Sequence, residues 1–78
     1  MRLIDIEDGK TCKIKKVNLE SGLKKKFLEL GLFPGQIVSV VQKAPFGGPV
    51  KIKVRDYCLA LRPSEAAKIE VSECDGTK

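Results

Sequence analysis

Residues 27–41 read FLELGLFPGQIVSVV, and this stretch takes the chain out of a helix, through a turn and into a strand. Gly31 follows the helical residues and accepts the left-handed conformation that commonly ends a helix. Pro34 and Gly35 suit the second and third places of a type II turn, where proline fixes φ and glycine accepts a positive φ. The β-branched residues that follow predict a strand over 37–41.

The residues before this exit predict an amphipathic helix over 21–30. Leu23, Phe27 and Leu30 recur at helical spacing, and lysines occupy the opposite side. Ser21 is a suitable N-cap, because its hydroxyl can accept a hydrogen bond from the first helical turn.

Alternating apolar and polar residues predict the rest of the chain as short strands. Two of these strands precede the helix, and the others follow the turn at Pro34 and Gly35. With the strand over 37–41, the predicted strands cover 3–6, 11–17, 50–54, 57–61 and 69–71.

These elements predict a mainly β fold, a small, partly open barrel of five to six antiparallel strands with one short α-helix after the second strand. Curling the sheet covers its inner face and removes exposed edges. A short chain needs this economy, because it buries only about 60–65% of its unfolded surface. We expect one domain over residues 1–78, with an ordered core over about 3–72 and a frayed tail over 73–78.

The composition excludes several kinds of chemistry. The chain has no histidine, so nucleophile systems that use imidazole as a base are absent. Its 42% of apolar residues are needed for the core, which leaves little to wall a deep substrate pocket. We therefore expect a protein that is not an enzyme, with no catalytic residue and no cofactor.

The charge is concentrated near the helix. The net charge is +5, and the stretch from Lys10 to Lys26 contains seven lysines and only one acidic residue, Glu20. Such a stretch suits an anionic partner, or it forms the solvated faces of one strand and one helix. Nucleic-acid binding would add stacking aromatics or arginines, and the chain has three arginines and no tryptophan, so no nucleic acid is expected.

The cysteines give no framework for a disulfide or a metal. Cys12, Cys58 and Cys74 form an odd set whose spacing matches neither a metal clip nor paired disulfides, so reduced thiols are expected. A metal would need these thiols with surface carboxylates, because histidine is missing. No metal ligand is assigned, and weak binding of a divalent metal, iron or zinc, stays open.

The apolar runs are only a few residues long, far short of the roughly 20 residues that span a bilayer. The first residues also lack the apolar segment of a secretory signal. We therefore expect a cytoplasmic protein with no membrane span.

The loop APFGGP, residues 44–49, joins two predicted strands as a hairpin and carries an aromatic residue at its tip. Phe46 is flanked by Pro45 and two glycines, so it is difficult to bury locally. Contact with a partner and local packing both remain open for this side chain.

In this order and spacing, the motifs resemble those of the FeoA family. The resemblance rests on the FLELGLFPG helix exit at 27–35, APFGGP at 44–49, LALR at 59–62 and IEV at 69–71, and it covers about residues 3–72. It implies an SH3-like barrel that serves as a small cytoplasmic accessory protein of the Feo ferrous iron uptake system. The implied partner is the cytoplasmic GTPase domain of the permease FeoB, which would recruit the chain to the inner face of the membrane.

The resemblance also implies an alternative, because the same module forms the C-terminal domain of iron-dependent repressors. In that case the chain would be a transition-metal-binding carrier or sensor. One departure from the family pattern is Lys26, which stands where an arginine is common and lacks the planar fork that binds a carboxylate through two hydrogen bonds. The predicted partner-binding residues are Lys24, Lys25, Lys26, Glu29, Phe33, Pro45 and Phe46.

Overall fold

The computed structural model describes residues 1–73, which form five strands, two helices and a 3₁₀ turn. Cys74 and the rest of the predicted tail lie outside the described residues. The elements are the 3₁₀ turn Leu3–Asp5, β1 (Thr11–Val17), α1 (Ser21–Glu29), β2 (Ile37–Lys43), β3 (Val50–Val54), β4 (Tyr57–Leu61), α2 (Pro63–Ala66) and β5 (Ile69–Glu73).

The strands form one antiparallel sheet in the order β4-β3-β2-β1-β5, and it does not close between β4 and β5. The register shifts between Ile14 and Lys16 in β1 and between Val40 and Gln42 in β2. Such bulges bend a strand and increase its twist, so they curl the sheet around its inner face. The predicted mainly β, partly open fold with five antiparallel strands is confirmed. The helix was predicted after the second strand, but α1 follows the first strand, because residues 3–5 form a 3₁₀ turn and not a strand.

The core lies inside this curled sheet. Alternate strand residues point inward, as the buried Val50, Ile52 and Val54 of β3 do, and α1 adds Phe27, which is 3% exposed. Within residues 1–72, every fully buried side chain is apolar. The helix face predicted from the period of Phe27 therefore packs on the core, with Leu23 and Leu30 partly buried beside it.

The predicted strand over 3–6 is wrong. Residues Leu3–Asp5 form a 3₁₀ turn, in which the three-residue spacing places Leu3 and Ile6 on the same side, and both are buried. A short run of apolar residues fits either pattern, and here burial against the core selects the turn. Only Arg2 pairs as an isolated bridge, with Glu70 of β5.

The predicted N-cap at Ser21 is also wrong by one residue. Glu20 takes the extended N-cap conformation and Ser21 begins the helix, with no capping hydrogen bond from the Glu20 side chain. The Glu20 carbonyl instead accepts a hydrogen bond from the Lys24 N–H at 2.8 Å.

Candidate partner-binding surface

The end of α1 is fixed by two backbone hydrogen bonds. The Leu32 N–H donates to the Phe27 carbonyl at 2.8 Å, and the Gly31 N–H donates to the Leu28 carbonyl at 3.1 Å. With Gly31 at φ 97°, this is a Schellman ending. The motif turns Leu32 back into the core, where it is 1% exposed, so the predicted role of Gly31 is confirmed.

The following turn is tied to the sheet. The Gln36 N–H donates to the Phe33 carbonyl at 3.0 Å and Gly35 has φ 97°, as the predicted type II turn requires. Ile14 of β1 holds this turn on both sides, because its carbonyl accepts from the Gly35 N–H at 2.8 Å and its N–H donates to the Gln36 carbonyl at 2.9 Å. The loop that carries Phe33 is therefore anchored to β1.

These two anchored segments create an open groove beside the helix, which we call the α1 groove. Its cavity volume is about 260 Å³. Val17 and Leu32, both buried, lie at its base, whereas Leu28 on the helix is 54% exposed. The groove is lined by Val17, Ser21, Lys24, Lys25, Leu28, Leu32, Phe33 and Pro34.

The α1 groove is apolar inside and positive at its rim. Lys24 and Lys25 are exposed, and no ion pair within 4.0 Å joins either of them to another described residue. The lining includes no carboxylate. Such a groove suits an apolar side chain that is accompanied by acidic groups.

Arg55, in the turn between β3 and β4, adds a further positive charge near the α1 groove. Its guanidinium carbon lies 5.9 Å from the centroid of the Phe33 ring, which is within the range of a cation–π contact. This contact covers part of the half-buried Phe33 ring, and Arg55 itself stays exposed.

The hairpin tip at residues 44–49 lies at the other end of β2. Phe46 is fully exposed and has φ 60°, which is unusual for a residue other than glycine, and Gly47 follows with φ 76°. The Gly48 N–H donates to the Pro45 carbonyl at 3.3 Å and closes the turn. The seven residues of β2 separate this tip from the turn at Gly35 by about 20 Å.

The structure therefore brings together only part of the predicted partner-binding set. Lys24, Lys25 and Phe33 line the α1 groove, whereas Lys26 and Glu29 are exposed on α1 without lining it. Pro45 and Phe46 belong to the distant hairpin tip. The sequence reasoning missed Leu28, although an apolar residue off the core-facing period of α1 was a usable signal.

The described cysteines do not converge. Cys12 is buried on the inner face of β1, and Cys58 is exposed on β4, where it pairs with the outward-facing Lys53. Among the side chains that the structure describes, no group of three or more cysteine or acidic residues is arranged to hold a metal ion. Across residues 1–73, no helix is long and apolar enough to cross a membrane.

Comparison with known proteins identifies the family. The model of the FeoA domain matches residues 1–73. This chain belongs to the FeoA family. A fusion of Fe(2+) transport protein A with the Fe(2+) transporter FeoB, from Porphyromonas gingivalis, is 39% identical over 71 residues, and the match covers 91% of this chain but 8% of the fusion protein. The FeoA family is thus associated with ferrous iron transport.

Solved FeoA structures share the fold over most of this chain. The solution structure of FeoA from Chlorobium tepidum has a TM-score of 0.90 at 27% identity, covering 100% of this chain and 74% of the other. The zinc complex of FeoA from Stenotrophomonas maltophilia, described as a procaryotic SH3 domain protein, has a TM-score of 0.80 at 28% identity over 92% of this chain and 89% of the other. The expected SH3-like fold is confirmed. A manganese-dependent transcriptional repressor, at 17% identity, shares the fold alone.

Proposed function

We propose that this chain is a non-enzymatic, cytoplasmic accessory module that binds the cytoplasmic part of FeoB through the α1 groove and modulates ferrous iron uptake. The observation that carries the proposal is an apolar groove with exposed lysines at its rim, held open by an anchored helix end. The FeoA–FeoB fusion in a relative supports it, because fusion keeps two modules at high effective concentration.

The groove and its rim have different physical roles in this proposal. Covering Leu28 and the exposed part of Phe33 removes apolar surface from water and supplies retained affinity. Lys24 and Lys25 speed the encounter with an acidic partner and make binding sensitive to salt. Replacing both lysines with glutamine should therefore flatten the salt dependence of association more than it changes dissociation.

The other predicted residues stay outside this main contact. Lys26 and Glu29 extend the charged surface of α1 beside the groove, and a lysine at position 26 gives a point charge in place of a planar fork. Pro45 and Phe46 form a separate contact, because about 20 Å of β2 lies between the tip and the groove.

Co-elution with the cytoplasmic portion of a cognate FeoB tests the proposal. The wild-type chain should co-elute at low salt, and Leu28→Asn should weaken binding about 10-fold or more, because it places an amide where an apolar contact forms. Val41→Asn is the matched control, since Val41 is 43% exposed but lies outside the groove. Absence of wild-type co-elution at low salt, or equal losses for the two variants, would contradict the proposal.

Metal binding is a second candidate, favoured by the zinc complex of the Stenotrophomonas relative. The donors described in this chain do not fit such a site, because Cys12 and Cys58 lie on opposite faces of the sheet. Equilibrium dialysis of the reduced full chain against zinc and ferrous iron tests this candidate. Less than one tightly bound equivalent is the result that agrees with the placement of the two thiols.

A further inference from the structure

Positive charge is concentrated in the sheet, whereas the chain as a whole carries both signs. The four strands β1 to β4, which are neighbours in the sheet, contain six lysines and no aspartate or glutamate. The acidic residues lie instead in loops, helices, turns and β5. These four strands therefore carry a net charge of +6, more than the +5 of the whole chain.

Four of these lysines share the outer face of the sheet. In β3, Lys51 and Lys53 alternate with buried residues. In β1, Lys13 and Lys15 are exposed on either side of the buried Ile14, and the register shift after Ile14 places the next residue, Lys16, opposite Glu70 of β5. None of the four makes an ion pair within 4.0 Å with another described residue. We call this surface the lysine face, and we include in it the outward residues of β2 that lie between the two pairs.

The strand between the two lysine pairs is neutral on its outer side. Ile37 and Val41 are 45% and 43% exposed, and Ser39 stands between them, paired with Thr11 on one side and Lys53 on the other. The two pairs are offset along β2, because Lys13 is opposite Ile37 whereas Lys53 is opposite Ser39. With neighbouring strands about 4.8 Å apart, the backbones of these two closest lysines are about 12 Å from each other. The lysine face therefore has neutral β2 residues at its centre, with the β1 lysines toward the Ile37 end and the β3 lysines toward the Val41 end.

Protection of a sheet edge does not explain these lysines. Charged residues often guard edge strands against pairing with other chains. The edges here are β4 and β5, whereas the four lysines lie on the interior strands β1 and β3. The lysines instead make the outer face of two interior strands positive, and such a face suits an anionic surface.

The composition of the lysine face distinguishes the anionic partner. Its outward residues include no arginine and no aromatic side chain, which are the groups that stack on bases and bind phosphates through two hydrogen bonds. The charges are also spread over a surface and do not converge on one phosphate. Exposed aliphatic side chains between lysines are typical of protein surfaces that lie on anionic lipid headgroups.

We propose that the lysine face lies against an anionic lipid bilayer, with Ile37 and Val41 directed toward the headgroup region and the lysines on either side. The proposal goes beyond the FeoB contact and uses a different surface, because no residue of the lysine face lines the α1 groove. It rests on the proposed function only for its setting, since a chain bound to a transporter is held close to a membrane.

Sedimentation with lipid vesicles tests this proposal without FeoB. The full chain is mixed with vesicles of phosphatidylcholine alone or of phosphatidylcholine with phosphatidylglycerol. We expect binding only to the anionic vesicles, and we expect it to decline as the salt concentration rises. The variant Lys13→Gln/Lys15→Gln/Lys51→Gln/Lys53→Gln should lose on the order of 100-fold in apparent affinity, since each lysine near an anionic surface contributes separately.

The matched control removes the same number of charges elsewhere. Lys24→Gln/Lys25→Gln/Lys26→Gln/Lys68→Gln alters only exposed lysines away from the face, and it should lose much less vesicle binding. Ile37→Ser/Val41→Ser, which keeps all charges, should weaken binding by a smaller but measurable factor. Circular dichroism confirms that each variant is folded before it is compared.

Several outcomes would overturn the proposal. These are no wild-type binding to phosphatidylglycerol vesicles, equal losses for the two lysine variants, or binding of a double-stranded DNA oligonucleotide through the lysine face without vesicle binding. A failure of FeoB co-elution with vesicle binding intact would overturn only the proposed function, so the two proposals fail separately.

Discussion

The chain presents an aromatic ring in two loops of similar composition, Phe33 in the helix exit and Phe46 in the hairpin tip. Both loops contain proline and a glycine with positive φ. Phe33 is half-buried, and its turn is bonded to Ile14, whereas Phe46 is fully exposed and its turn is closed only within the loop. In this chain, similar turn residues therefore give an anchored loop where the core and a neighbouring strand hold it, and an exposed tip where they do not.

The largest effect expected from this comparison concerns stability. Leu32→Ala should lower the free energy of unfolding by about 2–5 kcal/mol, because Leu32 is buried below the helix exit. Phe46→Ala should change it by less than about 0.5 kcal/mol, because its ring contacts little of the protein. Urea denaturation measures both. A cost for Phe46→Ala near that of Leu32→Ala would remove the distinction between the two loops.

The glycines sharpen the same comparison. Gly31→Ala and Gly47→Ala both place a Cβ at positive φ, which costs about 1–2 kcal/mol. At Gly31 the new Cβ would also lie 3.2 Å from Val54 Cγ1, whereas at Gly47 it would meet nothing within 4 Å. We therefore expect Gly31→Ala to be the more destabilising in thermal unfolding. Equal losses would show that the helix exit is not constrained by the core.

The helix exit and the α1 groove differ in how well the sequence alone predicts them. The helix exit was predictable because glycine, proline and β-branched residues each act locally, and their preferences agree with the fold. The α1 groove was not, because Val17 joins Leu28 and Phe33 only after β1 and α1 have packed. Lys24 and Lys25 were found from charge alone.

The prediction of a strand over 3–6 was wrong for a related reason. Its few apolar residues fit a strand and a 3₁₀ turn equally well, and only packing on the core separates the two. The distance between the helix exit and Phe46 likewise depends on the length and pairing of β2, so the sequence could name both sets of residues without showing that they lie apart.

A smaller effect is expected at the hairpin tip itself. Phe46 has φ 60°, a conformation that asparagine adopts more readily than phenylalanine. Phe46→Asn should therefore raise the free energy of unfolding by about 0.5–1 kcal/mol. A gain in melting temperature would agree with a phenylalanine kept for contact with another molecule. A loss would show that the ring packs on the protein after all.

The smallest expected effect is a pH dependence of stability from an ion pair outside both loops. Arg2 hydrogen-bonds and ion-pairs with Asp5 at 3.2 Å and holds the pKa of that carboxyl below its usual value of 3.8. A lowered pKa in the folded state adds stability above the ordinary value, and this stability is lost as the pH falls through the lowered one. Asp5→Asn should thus be slightly less stable than wild type at neutral pH and equal to it in acid, as thermal unfolding across pH would measure.

We propose that the anchored helix exit, and not the exposed hairpin tip, provides the main contact with FeoB. Calorimetry tests this proposal, by measuring the dissociation constant of Leu28→Asn and of Phe46→Ala for the cytoplasmic portion of a cognate FeoB. We expect Leu28→Asn to weaken binding about 10-fold or more and Phe46→Ala to weaken it less than about 3-fold. A large loss for Phe46→Ala with binding by Leu28→Asn unchanged would contradict the claim and assign the contact to the hairpin tip.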